Sequence, residues 1–351
     1  MDIQQLILSA RERRASDIHI THARNPVFRI DGTLQETEYQ LTPQEKYGLI
    51  VSMLDDAQRE QMDRGEDVDL CFTIDGGLRH RVNVFRQQRM LAAVIRVIND
   101  NIPTFEQLNL PAILRTLADE PRGLILVTGP TGSGKSTTLA AMVDYINTNR
   151  ACHILTVEDP VEYRYTQKKS LIHQRDVGSD VGSFADALRS AMREDPDVIL
   201  VGEMRDYETI SAAVTAAETG HLVLSTLHTT GAAMTVDRII DVFPPHSQQQ
   251  IRTQLASVLK GIVTQTLLPK AAGKGRVAAF EIMIGVDSVL NLIRENKGHQ
   301  LNSTIQTGAK QGMVLLDMYL ADLVAKGVVT REAALEKAGN KAEFLSAVGR
   351  Y

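Results

Sequence analysis

Residues 124–136 read Leu-Ile-Leu-Val-Thr-Gly-Pro-Thr-Gly-Ser-Gly-Lys-Ser. The last eight form a complete G-x-x-x-x-G-K-[S/T] loop. The apolar run Leu124-Ile125-Leu126-Val127 before it predicts a buried strand. After it, Leu139, Met142, Val143 and Ile146 recur at helical spacing. Strand, Gly-rich turn and helix are the context this loop needs to cradle phosphates. Gly129, Gly132 and Gly134 let backbone N–H groups converge without a Cβ in the way. The helix N-terminus adds positive partial charge at the same point. Lys135 is then the residue to neutralise β/γ-phosphate charge, and the Ser136 hydroxyl the one to ligate Mg²⁺. The expected nucleotide-binding set is Gly129, Pro130, Thr131, Gly132, Ser133, Gly134, Lys135, Ser136 and Thr137, with ATP and Mg²⁺ as ligands. A chance Gly-rich turn before a helix is the competing reading, and partners further along the chain decide against it.

Those partners follow three more apolar runs, Ile154-Leu155-Thr156-Val157, Val198-Ile199-Leu200-Val201 and Leu222-Val223-Leu224. Continuous rather than alternating apolar runs predict strands buried on both faces of a parallel sheet. Glu158, Asp159 and Glu162 end the first, Glu203 the second, and the third runs on to Ser225-Thr226-Leu227-His228. In open parallel sheets ligands bind beyond the carboxyl ends of strands, so these groups are expected to converge there. Hydrolysis of ATP needs carboxylates that hold hydrated Mg²⁺ or orient and deprotonate water. Taken singly, an acidic residue after a strand is more often a helix cap or a solvated turn. Together, behind the loop, they favour catalysis.

The chain has 351 residues, about two domains on the usual scale. A formal charge of −5 speaks against a nucleic-acid partner. Cys71 and Cys152 show no metal-ligand spacing, so a reducing, cytoplasmic setting is expected. No run of 18 apolar residues exists to span a membrane. Residues 1–98 have a different texture from the rest. Ile3, Leu6, Ile7 and Ala10 fit a short amphipathic helix, and a helix is expected at about 43–62. Strand-like runs fall at 17–21, 27–30, 68–72, 79–85 and 90–98, with turn signals at Asp31-Gly32 and Asp75-Gly76-Gly77. Residues 99–122 hold Pro103, Pro111 and Pro121 and read as a linker with one short helix. Residues 123–351 are expected to form an α/β domain, mostly helical from Pro244 on.

Residues 192–206, Met-Arg-Glu-Asp-Pro-Asp-Val-Ile-Leu-Val-Gly-Glu-Met-Arg-Asp, resemble the signature of the type II/IV secretion ATPase superfamily. The order of phosphate loop, Asp box, Walker B strand and His box matches as well, and Ala15-Ser16-Asp17-Ile18-His19 resembles the family's N-terminal domain. Asn291-Leu292-Ile293-Arg294-Glu295 resembles the second half of a motif of the pilus retraction ATPases. Its first half departs, as Ser288-Val289-Leu290. The resemblance implies a PAS-like α+β N-terminal domain, a RecA-like P-loop core and a helical C-terminal extension. It implies Glu162 as general base, Glu203 near Mg²⁺ through water, Glu158 and Asp159 in the metal surroundings, and His228 as a sensor of the γ-phosphate. It also places nucleotide-contacting arginines at Arg81 and Arg96, which by themselves read as ordinary ion-paired surface residues. The implied assembly is a homohexamer, peripheral at the inner face of the cell membrane, acting on a pilus through a membrane platform protein.

Other readings stay open at this point. An accessory retraction paralogue, or a pilus-extension or type II secretion ATPase, would share the core. The extension and secretion members usually carry an extra N-terminal domain and paired C-x-x-C ligands, which this chain does not match. A nucleic-acid motor would want a basic, aromatic-bearing central loop. A nucleotide-gated adaptor would bind ATP and barely turn it over.

Overall fold

A computed structural model describes residues 1–30, 32–98, 101–273 and 275–349. The chain folds as two compact units, one up to Asn101 and one from Ile102 on. The first contains α1 (Ile3–Glu12), β1 (Asp17–Ile20), β2 (Val27–Ile30), β3 (Thr33–Glu36), α2 (Pro43–Val51), α3 (Asp56–Asp63), β4 (Val68–Ile74), β5 (Leu78–Gln87) and β6 (Met90–Val97). Its strands form one antiparallel sheet in the order β3-β2-β1-β6-β5-β4. Alternation turns Ile18, Ile20, Val82, Val84 and Ile95 to one buried side, where Leu6, Ile7 and Ile50 of the helices cover them. The helix expected across 43–62 is two. Asp55 accepts the Gln58 backbone N–H in a new capping box and starts α3 there. Strand β3 carries no periodic signal because all four of its residues are exposed. Asp31, of the first expected turn, and Asn99 and Asp100, of the expected linker, lie outside the described residues. At the second turn Gly76 and Gly77 have φ of +86° and +77°.

The second unit runs α4 (Phe105–Leu108), α5 (Ile113–Ala118), β7 (Gly123–Thr128), α6 (Lys135–Asn149), β8 (His153–Glu158), β9 (Leu171–Asp176), α7 (Phe184–Ala191), β10 (Val198–Val201), α8 (Tyr207–Glu218) and β11 (Leu222–Leu227). It continues with α9 (Ala232–Asp241), α10 (Gln248–Val258), β12 (Leu259–Pro269), β13 (Arg276–Ile284), α11 (Asp287–Arg294), α12 (Leu301–Thr307), α13 (Leu316–Ala325), α14 (Arg331–Lys337) and α15 (Lys341–Val348). The sheet order is β13-β12-β7-β11-β10-β8-β9, with β13 antiparallel to β12 and every other pairing parallel. Every residue of β7, β10 and β11 is buried, as strands covered on both faces require. Leu126, Ser225, Val201 and Val157 lie in one row across β7, β11, β10 and β8. The residues just past that row therefore emerge side by side at one edge of the sheet.

Two expectations differ from the structure. From Ile102 on, the expected linker packs into the second unit, because Phe105, Leu110, Leu114 and Leu117 join the core against α6. The C-terminal third is mostly helical, as expected, but holds one unexpected strand pair. Before the expected helices at α11, α13 and α14 comes the long β12–β13 hairpin, whose runs Gly261-Ile-Val-Thr and Phe280-Glu-Ile-Met extend the sheet beside β7.

Candidate active site

Between β7 and α6 the phosphate loop makes its turn through glycines at positive φ, +141° at Gly129 and +90° at Gly134. A Cβ on Gly129 would collide with the Gln265 carbonyl, and one on Gly134 would sit 2.7 Å from Gln265 Nε2. Helix α6 opens on Gly134 with no side-chain cap, so its first-turn N–H groups are presented to the cleft. Lys135 Nζ donates to the carbonyls of Gly129 (2.9 Å) and Pro130 (3.2 Å), which folds it over the loop. Burial lowers the Lys135 pKa, and the carboxylates of Glu203 and Glu162 oppose that shift. Thr137 Oγ1 bonds Tyr163 Oη at 2.9 Å, tying the helix start to the segment after β8.

The loop borders a cleft of about 840 Å³ that also takes in Thr131, Gly132, Ser136, Asp159, Glu162 and His228. Glu203 lines it as well. Its Oε1 accepts from Arg205 Nε at 2.6 Å and lies 2.9 Å from His228 Nε2. Burial pushes the Glu203 carboxyl up, but the Arg205 hydrogen bond, the nearby His228 and the positive charges of Arg205 and Lys135 outweigh it. The net pKa is below the ordinary value, so the group is a carboxylate. Gly202 permits this strand end to approach β8, since a Cβ there would meet Glu158 Cα at 3.2 Å.

The three Asp-box carboxyls are unalike. Glu158 is buried and accepts the Thr156 hydroxyl at 2.7 Å. Burial pushes its pKa up to about 7, against the hydrogen bonds from Thr156 and the Glu162 N–H. Its residue borders the cleft as well. Asp159 and Glu162 are exposed to the cleft. His221 lies at the opposite end of β11, with Nδ1 against the Ala216 carbonyl at 2.8 Å, and takes no part. Arg81 and Arg96 face each other across β5 and β6 in the first unit. Arg96 Nε is held by Asp17 Oδ1 at 3.0 Å. Two further residues belong to the site without a role assigned from sequence. Arg205 stands in the signature stretch, where nothing marks it as the partner of Glu203. Gln265 lies in β12, within the stretch expected to be mostly helical, and carries no sequence signal.

The residues present fit a nucleotide and its cation. Ser133 Oγ is buried in the loop without a hydrogen-bond partner among the described residues. The helix start, an ammonium and a hydroxyl converge there, and a carboxylate stands opposite. No cluster of three or more His, Cys, Asp or Glu that could hold a metal alone occurs among the described residues. A cation here would therefore take most of its ligands from phosphate oxygens and water. No helix among the described residues is long and apolar enough to cross a membrane.

The family model described as type II/IV secretion system protein matches residues 1–344. A type IV pilus retraction ATPase of Pseudomonas aeruginosa, PilT, is 50% identical over 339 residues, covering 96% of this chain and 98% of its own. The type IV pilus ATPase PilU of the same organism is 38% identical, covering 96% and 89%. A crystal structure of the pilus retraction motor PilT with bound ADP has a TM-score of 0.91 at 46% identity, covering 98% of both chains. The chain is an ATPase with a RecA-like core, and it belongs to the type II/IV secretion system protein family.

Proposed function

We propose that this chain is a homohexameric motor that uses ATP to retract a type IV pilus, acting at the inner face of the cell membrane through a platform protein. The observation that carries the reading is the convergence of Lys135, Ser136, Glu203 and His228 on one cleft at the strand ends. Near full-length likeness to a retraction ATPase, greater than to its PilU counterpart, supplies the direction of work.

In this reading the phosphates lie on the loop N–H groups and the start of α6, with Lys135 swung from its loop carbonyls onto the β/γ-oxygens. Bound Mg²⁺ would supply positive charge to those oxygens. Ser136 would hold it directly, with Glu203 through water and Glu158 and Asp159 in its surroundings. Glu162 is exposed to the cleft and free to take a proton from water. His228 reports the γ-phosphate to Glu203 through their shared hydrogen bond. Arg81 and Arg96 are assigned to nucleotide phosphates, a role guanidinium suits because it stays charged and bonds in pairs.

The test is complementation of a host that lacks its retraction ATPase. The parent chain should restore twitching and clear excess surface pili, and a Lys135→Ala chain at equal level should not. An actively hydrolysing chain that leaves the surface pili unchanged would remove retraction from the reading and keep the ATPase.

A further inference from the structure

Gln265 is 3% exposed, in the middle of β12, and its carboxamide is engaged entirely by the phosphate loop and the helix that follows it. Nε2 donates to the Ser133 carbonyl at 2.6 Å, and Oε1 accepts from the Thr138 hydroxyl at 2.7 Å. The orientation of the amide is determined by its partners. A carbonyl can only accept, so the NH₂ must face Ser133, and the hydroxyl of Thr138 is left to donate. Ser133 is the crest of the loop, between Gly132 and Gly134. Thr138 belongs to the first turn of α6. One side chain thus spans the two pieces of backbone whose N–H groups point at phosphate.

The neighbouring contacts press the same way. Thr264, next to Gln265 on β12, shares a buried 2.8 Å hydrogen bond with Thr128 at the end of β7. The Gln265 carbonyl and amide occupy the room that a Cβ on Gly129 or Gly134 would need. The loop is therefore seated on β12 rather than on β7 and α6 alone. Both ends of the carboxamide are required. A side chain with one end frees either the crest or the helix turn, and the loop can then relax away from the geometry in which its N–H groups converge.

We propose that Gln265 is a positioning residue that fixes the phosphate loop against α6 and so sets nucleotide affinity, without itself touching nucleotide. This rests on the reading of the loop as the nucleotide site, and the experiment separates the two. The full-length chain would be prepared as Gln265→Leu, which keeps the volume and removes both bonds, and as Thr138→Val, which removes one. Binding of a fluorescent ATP analogue and of ADP with Mg²⁺, the KM and kcat for ATP, and thermal unfolding would be measured for each. Gln265→Leu should raise Kd for both nucleotides, and KM with them, by about tenfold or more, with kcat much less affected. Thr138→Val should move Kd the same way by a smaller factor. A purely structural role predicts a lower melting temperature with Kd unchanged in the folded protein, and that result overturns the proposal. Should Gln265→Leu fail to fold, an unchanged Kd in Thr138→Val overturns it equally. Lys135→Ala is the control on the underlying reading: undiminished nucleotide binding in that variant moves the site elsewhere and takes the inference with it. Loss of binding in Lys135→Ala with none in the other two refutes the role of Gln265 alone.

Discussion

Replacing Glu158 by Gln should make the protein more stable in alkaline solution and leave its chemistry nearly intact. The Glu158 carboxyl has an ordinary value of 4.5 and is pushed up to about 7 by burial. Between those two pH values the folded chain holds a proton that the unfolded chain has released, so stability falls as pH rises through that window. Above about 7 the whole cost is present. At about 1.4 kcal/mol per tenfold, the separation corresponds to roughly 3 kcal/mol as an order of magnitude. A glutamine side chain at this position cannot ionise, and its amide oxygen can still accept from the Thr156 hydroxyl. The parent should therefore lose roughly 3 kcal/mol relative to Glu158→Gln between about pH 4.5 and pH 8.5, a gap of about 6 to 12 °C for a unit of this size. Thermal unfolding of both chains at the two pH values measures it, and taking the difference cancels every group they share. ATP turnover at about pH 7.5 should stay within about threefold of the parent, because the buried carboxyl, though its residue borders the cleft, is already engaged by the Thr156 hydroxyl. An equal stability difference at both pH values would refute the reasoning about burial. A turnover loss of about a hundredfold would return Glu158 to the reaction.

Three further outcomes follow from the site and its surroundings. Glu203→Gln should still bind ATP yet hydrolyse it roughly 10²-fold more slowly or worse, since it removes the charge that Arg205, His228 and Lys135 face; parental turnover would refute the assignment of this strand end. Arg96→Ala should lower turnover more than stability, because the buried Asp17 carboxylate it leaves keeps Arg29 and the Ser16 hydroxyl beside it; comparing kcat with the unfolding midpoint decides it. Replacing both Arg294 and Glu295 by Ala should leave ATP hydrolysis intact and abolish twitching. Both are exposed at the end of α11, and the side chains they meet, Asn291 and Lys297, are local, so stability should change by only about 0.5 kcal/mol.

How much of this can be read from sequence depends on whether a residue's role is local. The phosphate loop announces itself because its geometry is made by consecutive residues, glycines where φ must be positive and a helix immediately after. The strand ends are legible for a related reason. A run such as Val198-Ile199-Leu200-Val201 must be buried on both faces, and parallel neighbours then bring Glu203 and His228 to one edge. Likewise Ile293 inward with Arg294 outward is a matter of helical spacing, and the structure has it so. What cannot be read is what depends on distant chain. Glu158, Asp159 and Glu162 look alike in sequence and all border the cleft, yet Glu158 is buried, with β10 close beside it at Gly202, and the other two are exposed. The segment 102–122 looks like a linker by its prolines, and only the presence of α6 makes Leu114 and Leu117 core residues. Gln265 is the extreme case. It meets Ser133 and Thr138 across 132 and 127 residues of chain, in a hairpin whose apolar residues do not stand out as strand. Residues that carry the chemistry thus sit in short local motifs, whereas those that hold the motifs in place come from wherever the sheet order brings them. A site read from motifs alone is therefore bare of its supports, and the supports are where substitutions should change affinity without changing the reaction.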